Sequence, residues 1–270
     1  VPELPEVETT RRGIAPYLVG HRIVATQVYN AKLRWPVTPR INAIENQWVN
    51  EITRRGKYLI FDLKNNGAMV VHLGMSGSLR IVQRDAPRKT HDHLEFLLDS
   101  GQRLLYHDPR RFGCVLWTDD WREHELIRHL GPEPLSADFD AGYLYEQAAG
   151  RKLPIKSLIM SASVVVGVGN IYANEALYQS GIHPLRAAGR ISFARMEDLV
   201  RQIKNVLDAA ITQGGTTLRD FVGGDGKPGY FKQQLFVYGR GGEPCKHCGH
   251  ALKERRLTNR STVYCPKCQR

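Results

Sequence analysis

The chain has 270 residues, and 38 Lys+Arg against 27 Asp+Glu leave a net charge of +11, which points to a polyanionic partner: nucleic acid or an acidic membrane surface. No apolar run approaches the roughly 20 residues that span a bilayer, and the start shows no signal-peptide pattern, so the membrane is set aside. Five cysteines, four of them close to the C-terminus, argue against a disulfide framework and for a metal site, one free thiol and a reducing cytosol.

In chain order, "PEVETTRRGIAPYL" predicts a short helix: Pro5 suits a first turn, Glu6 and Glu8 sit beside the positive end of the dipole, and Gly13 and Pro16 fall near the exit. From "HRIVATQVYN" through "YLIFDL", "GAMVVHLGM", "SLRIVQ", "HLEFLLD", "QRLLYHD" and "GCVLWT", short β-branched and aromatic runs broken by Gly, Asn and Asp predict an antiparallel sandwich or barrel to about residue 120. After the proline-rich break "LGPEPLS" the pattern turns helical, in "SADFDAGYLYEQAAG", "PIKSLIMS", "NIYANEALYQSG" and "SFARMEDLVRQIKNVLDAAITQGG". The last of these carries Phe193, Met196, Leu199, Val200, Ile203, Val206, Leu207 and Ala210 at three- and four-residue spacing. "VGGDGKPGYF" is a glycine-rich loop, and a small metal-bound hairpin completes the chain. From Lys227 onward, 10 Lys+Arg against 2 Asp+Glu place +8 of the +11 in this C-terminal stretch, an electrostatic docking element. The expected division is 1–131, 132–222, a loop and linker at 223–234, and 235–270.

Cys245, Cys248, Cys265 and Cys268 form two Cys-x-x-Cys knuckles, the spacing that closes a tetrahedron around one structural zinc. His247 and His250 are alternative donors, although four thiolates already fill the shell. Arg255, Arg256 and Arg260 between the knuckles make a basic loop, either plainly solvated or set against phosphate. "VVVGVGNIYANEAL" runs a glycine turn into a helix at Asn170, which is either a packing turn or a phosphate site at free helix amides. "HLGMSGSL" and "HDPRRFG" place Met75, Arg110 and Phe112 at hairpin tips, where such side chains can enter a duplex and fill the gap of an extruded base. Spacing alone favours the other reading, Met75 and Phe112 as core residues at strand ends. Lys57 is a phosphate anchor or a salt-bridged strand lysine.

The opening "VPELPEVE" is the candidate active site. With Val1 absent, Pro2 is a terminal secondary amine with an unperturbed pKa of about 8, a nucleophile for carbon electrophiles at neutral pH. Attack on an anomeric carbon yields an iminium ion, an electron sink that permits loss of a base and then elimination of phosphate. Glu3 beside it can pass protons to the sugar ring oxygen. The structural alternative is an acidic, capped helix start around an inert Val1–Pro2 amide.

Together, "PELPEVE", "HLGMSG", "DPRRFG", "VGVGNIYANEAL", "GGTTLRDF", "DGKPGYF" and the paired cysteines resemble the formamidopyrimidine-DNA glycosylases, bacterial enzymes of 8-oxoguanine repair, collinearly over essentially the whole chain. The resemblance implies an α+β multidomain fold: an N-terminal β-sandwich with a leading helix, a helix-two-turn-helix domain and a C-terminal zinc-finger hairpin, with DNA between them. It implies excision of oxidised purines from duplex DNA through a Schiff base on Pro2, followed by β,δ-elimination. It makes Glu3 the acid that opens the deoxyribose and Glu6 a supporting pocket carboxylate, with Lys57 the next amine of the catalytic set. Met75, Arg110 and Phe112 become a void-filling wedge, with Arg110 facing the orphaned cytosine. Lys57, His72, Asn170, Tyr238 and Arg260 match positions that grip phosphates, and Arg219 falls in a loop closing over the damaged base. Zinc is the one cofactor implied, the partner is double-stranded DNA containing oxidised bases, and the expected state is a cytoplasmic, nucleoid-associated monomer. Val1 is expected to reflect an initiation codon at which the cell installs methionine, later removed to expose Pro2. Two alternatives remain: an endonuclease VIII-like enzyme for oxidised pyrimidines and, if Val1 is retained, a non-catalytic zinc-containing DNA-binding protein.

Overall fold

Eight strands between Ile23 and Thr118 build two four-stranded antiparallel sheets in a computed structural model that describes residues 2–64, 67–214 and 235–270. One sheet has the order β1 (Ile23–Val28), β6 (Asp92–Leu98), β7 (Arg103–His107), β5 (Ser78–Val82). The other runs β2 (Val49–Arg55), β3 (Tyr58–Leu63), β4 (Ala68–His72), β8 (Cys114–Thr118). A single buried core joins Ile23, Phe96 and Leu104 of the first sheet with Ile52, Phe61 and Val115 of the second, which makes the pair a sandwich. Helix α1 (Leu4–Leu18) adds Val7, Ile14 and Leu18 to that core and packs on β2, β3 and β5.

The helix runs longer than expected, straight through Gly13 and Pro16. Burial of Ile14 and Leu18 holds the last turn despite the amide that Pro16 lacks. At its other end Glu6 reaches back, Oε2 accepting the Glu3 amide at 2.8 Å, and so serves as a cap for the first turn.

The chain divides into two units, Val1–Arg128 with Gln213–Lys232, and His129–Thr212 with Gln233–Arg270. The second unit holds α2 (Ala141–Ala148), α3 (Ile155–Ile159), α4 (Asn170–Gln179) and α5 (Phe193–Thr212), followed by the hairpin β9 (Lys253–Leu257) and β10 (Arg260–Tyr264). The periodicity of α5 is realised: Met196, Leu199, Val200, Ile203, Val206, Leu207 and Ala210 are buried. Phe193 departs from it. It is 49% exposed and meets Tyr145 edge-on at 5.6 Å, while the burial of α5 begins one turn later at Met196. β10 packs on α4, so the cysteine hairpin and the helices share one unit. Among the described residues no helix is long and apolar enough to cross a membrane.

Candidate DNA-binding and catalytic site

In the first unit, one end of the β2-β3-β4-β8 sheet collects most of the site residues. Lys57 sits in the β2–β3 turn, Tyr58 pairs with His72, and His72 pairs with Cys114. Met75 lies in the loop leaving β4, and Arg110 and Phe112 lie in the loop entering β8. Phe112 is 42% exposed, and Arg110, also exposed, stacks its guanidinium on that ring at 4.9 Å. An apolar ring held at the surface by a cation is a projecting group, not core; Met75 is half-buried.

Asp108, which no spacing pattern marks, holds the two tips together. Its side chain is buried and takes the Ser76 hydroxyl at 2.8 Å on Oδ1, and the Gly113 amide at 2.9 Å and the Tyr106 hydroxyl at 3.1 Å on Oδ2. Ser76 Oγ in turn accepts the Arg110 amide at 3.1 Å. Glycine lets the loops touch backbone to backbone: a Cβ on Gly74 would overlap Phe112 and Gly113, and one on Gly113 would overlap the Tyr106 hydroxyl and the His72 carbonyl. The two tips are therefore clamped to each other.

His72 is neutral. Its Nδ1 accepts the Gly74 amide at 2.9 Å, and burial, reinforced by the charges of Lys57 and Arg34, pushes its pKa down to about 4. A neutral imidazole bonded in this way keeps its proton on Nε2, as a donor. Arg34 is another residue that spacing did not reveal; its amide donates to the Arg111 carbonyl at 2.9 Å, and its charge acts on His72.

The three glutamates of "PELPEVE" separate into different roles. Glu3 is 2% exposed beside the buried Pro2 and its side chain accepts the Glu6 amide, while the Glu6 side chain accepts the Glu3 amide in return. Glu8 faces Arg11, Arg12 and Arg54, with contacts of 2.8, 2.8 and 3.4 Å. Burial alone would raise its carboxyl, but the hydrogen bonds from Arg11 and Arg12 and the charge of Arg54 take it below the usual carboxylate range. Arg54 also donates to the Gly56 carbonyl at 2.9 Å, which ties the start of α1 to the turn that carries Lys57. Val1, Arg219 and the loop and linker at 223–234 lie outside the described residues.

In the second unit, Asn170 opens α4 with Gly169 as its cap, and Tyr238 follows a turn organised by Glu175. That buried carboxylate accepts the Phe236 amide at 2.8 Å and the Val237 and Tyr238 amides at 2.9 Å each, which seats Tyr238 against α4. Burial raises its pKa and the three amides work against the rise. Arg260 is exposed just past the hairpin turn, where Thr258 and Asn259 adopt left-handed backbone with φ of 46° and 61°.

The sulfur atoms of Cys245, Cys248, Cys265 and Cys268 all lie within 4.8 Å of one another, with Cys245–Cys268 at 3.9 Å and Cys248–Cys265 at 3.5 Å. Four thiolates about 2.3 Å from a tetrahedral zinc stand about 3.8 Å apart, so the donor set and its spacing fit that ion. His247 and His250 are exposed and outside the cluster.

Three family models match the chain in order: the formamidopyrimidine-DNA glycosylase N-terminal domain over residues 1–115, the formamidopyrimidine-DNA glycosylase H2TH domain over 130–222, and the zinc finger found in FPG and IleRS over 242–270. The cysteine cluster thus holds one structural zinc. Relatives named formamidopyrimidine-DNA glycosylase are 56% identical in Marinobacter nauticus and 55% in Stutzerimonas stutzeri, each over 271 residues and 100% of both chains. Among solved structures, MutM (Fpg) from Thermus thermophilus matches with a TM-score of 0.90 at 37% identity, covering 99% of this chain and 98% of that one. Lactococcus lactis Fpg bound to DNA containing an abasic site matches with a TM-score of 0.92 at 32% identity over 100% of both chains. With three matching models in sequence and relatives above half identity end to end, this chain belongs to the formamidopyrimidine-DNA glycosylase family.

Proposed function

We propose that this chain excises oxidised purines from duplex DNA and then cuts the strand, with Pro2 as the nucleophile. The Pro2 nitrogen attacks C1′; the N–C1′ bond forms as the bond to the base breaks, and the base leaves with a proton. Glu3 protonates the ring oxygen as the sugar opens, which leaves an iminium ion between Pro2 and C1′. Loss of the C2′ proton expels the 3′ phosphate, a further elimination expels the 5′ phosphate, and water frees the enzyme. The observation that carries this is the buried Glu3 at the head of α1, beside Pro2: a desolvated acid next to the position of an amine, at the positive end of a helix that favours the neutral, nucleophilic form.

Met75, Arg110 and Phe112 act as the wedge, supported by the exposed Arg110–Phe112 stack on the loop that Asp108 clamps. Lys57, His72, Asn170, Tyr238 and Arg260 grip phosphates, and Arg219 belongs to the loop over the lesion. Residues 1–131 form the catalytic sandwich, 132–222 the helical DNA-binding domain, 223–234 the lesion loop and linker, and 235–270 the finger. The protein works as a bacterial, nucleoid-associated monomer without a small-molecule cofactor. Borohydride is expected to trap the active enzyme on abasic DNA through the Pro2 nitrogen. If protein proven to retain Val1 forms the adduct at the normal rate, Pro2 is not the nucleophile and Lys57 is the next amine to test. Faster excision of dihydrothymine than of 8-oxoguanine would move the chain to the oxidised-pyrimidine branch.

A further inference from the structure

Asn174 is 1% exposed on α4, one turn after Asn170, and its amide joins two elements that lie far apart in the chain. Nδ2 donates to the Asn170 carbonyl at 2.6 Å and reaches the Ser261 carbonyl at 3.4 Å, while Oδ1 accepts the Val263 amide at 2.9 Å. Buried Lys156 completes the anchor, with Nζ donating to the Ser261 carbonyl at 2.9 Å and to the Thr262 hydroxyl at 2.7 Å. The three residues that follow Arg260 are thus all tied to the helical segment, and two of them are tied through the side chain that also bonds the backbone of Asn170.

We propose that Asn174 is a positioning residue that fixes Arg260 relative to Asn170, so that the two meet the phosphates of a duplex as one preorganised pair. The inference rests on the assignment of Arg260 and Asn170 to phosphate contact. Arg260 is exposed on a hairpin of only two strands, and a long cation on such a support loses rotamer and hairpin freedom when it binds. Anchoring Ser261 and Val263 removes the hairpin part of that cost before DNA arrives. An asparagine suits the task because it offers a donor to the two carbonyls and an acceptor to the amide, all away from water.

The test measures binding of a duplex bearing one tetrahydrofuran abasic-site analogue as a function of salt, using zinc-loaded full-length protein. Arg260→Ala is expected to lower the slope of log K against log salt by about 0.9, the loss of one phosphate contact. Asn174→Ala is expected to lower affinity about 5- to 10-fold, to reduce the slope in the same way, and to have no further effect in the Arg260→Ala background, with full zinc content throughout. A purely structural asparagine leaves the slope unchanged and adds its loss independently, and that result overturns the proposal while the role of Arg260 stands. An unchanged slope for Arg260→Ala overturns the phosphate assignment and the proposal with it. Should Asn174→Ala fail to load zinc, Asn174→Asp, which keeps the acceptor for Val263 and loses the donor to Asn170 and Ser261, is judged by the same outcomes.

Discussion

Replacing Asp108 with alanine removes the acceptor that holds both wedge loops, and its cost follows from its three partners. The Gly113 amide, bonded to Oδ2 at 2.9 Å, is left buried without an acceptor, a loss of about 1–3 kcal/mol. The Tyr106 hydroxyl keeps the His72 carbonyl at 3.2 Å and Ser76 keeps the Arg110 amide, so each of those two positions loses only about 1 kcal/mol. The sum is about 3–5 kcal/mol, a large share of the roughly 5–15 kcal/mol that stabilises an ordinary domain. Asp108→Asn keeps Oδ2 in place and turns an amide toward Ser76 Oγ, which can accept it; the expected loss is about 1–2 kcal/mol. All four tryptophans, Trp35, Trp48, Trp117 and Trp121, lie in the first unit, so tryptophan fluorescence excited selectively during urea unfolding reports on that unit. At a slope of about 2 kcal/mol/M, the midpoint drops by about 2 M for alanine and by less than about 1 M for asparagine. Excision of 8-oxoguanine by the alanine variant at permissive temperature should also slow, since Arg110 and Phe112 lose their fixed support. An alanine midpoint within about 0.3 M of wild type, at unchanged slope, refutes the carboxylate as the clamp.

Chelating the zinc should abolish duplex binding while the tryptophan-detected transition stays in place, because the finger's own core is little more than Val237, Leu252, Val263 and two of the cysteines packed on Tyr178; tight binding by fully metal-free protein, checked by metal analysis, contradicts this. Met75→Ala and Phe112→Ala should slow excision from duplexes about tenfold or more and leave cleavage at a pre-formed abasic site nearly unchanged, since no base remains to be expelled there; equal losses in gel assays on both substrates would refute the wedge role. His72 makes the first unit acid-sensitive. Its pKa falls from 6.5 to about 4 on folding, so between those values the unfolded chain binds a proton that the folded one refuses, and stability decreases as the pH drops, by roughly 3 kcal/mol at pH 4. The dependence fades above about pH 7.5, where the unfolded imidazole is neutral as well, and the difference between wild type and His72→Gln in urea midpoints from about pH 8 to pH 4 should show this window.

Short-range chemistry carried much of this protein in the sequence itself. The two Cys-x-x-Cys knuckles specify the metal because each pair is set by a turn of four residues, and the stripe of α5 specifies its buried face because helical periodicity is local. The same holds for the strand runs and for the stiff acidic start, whose spacing already placed a first-turn proline with acids beside the helix dipole. What the linear pattern left open were the polar groups whose partners lie far along the chain. Asp108 meets Ser76 across 32 positions, Glu175 meets Val237 across 62, and Asn174 meets Val263 across 89. In a sequence each of these reads as an ordinary solvated polar residue. Only tertiary packing takes away its water, and once that has happened the side chain must find partners in whichever backbone is at hand. Phe112 shows the converse: its apolar ring suits a core, and only the fold shows it 42% exposed under the Arg110 guanidinium, on a loop whose backbone lies against Gly74.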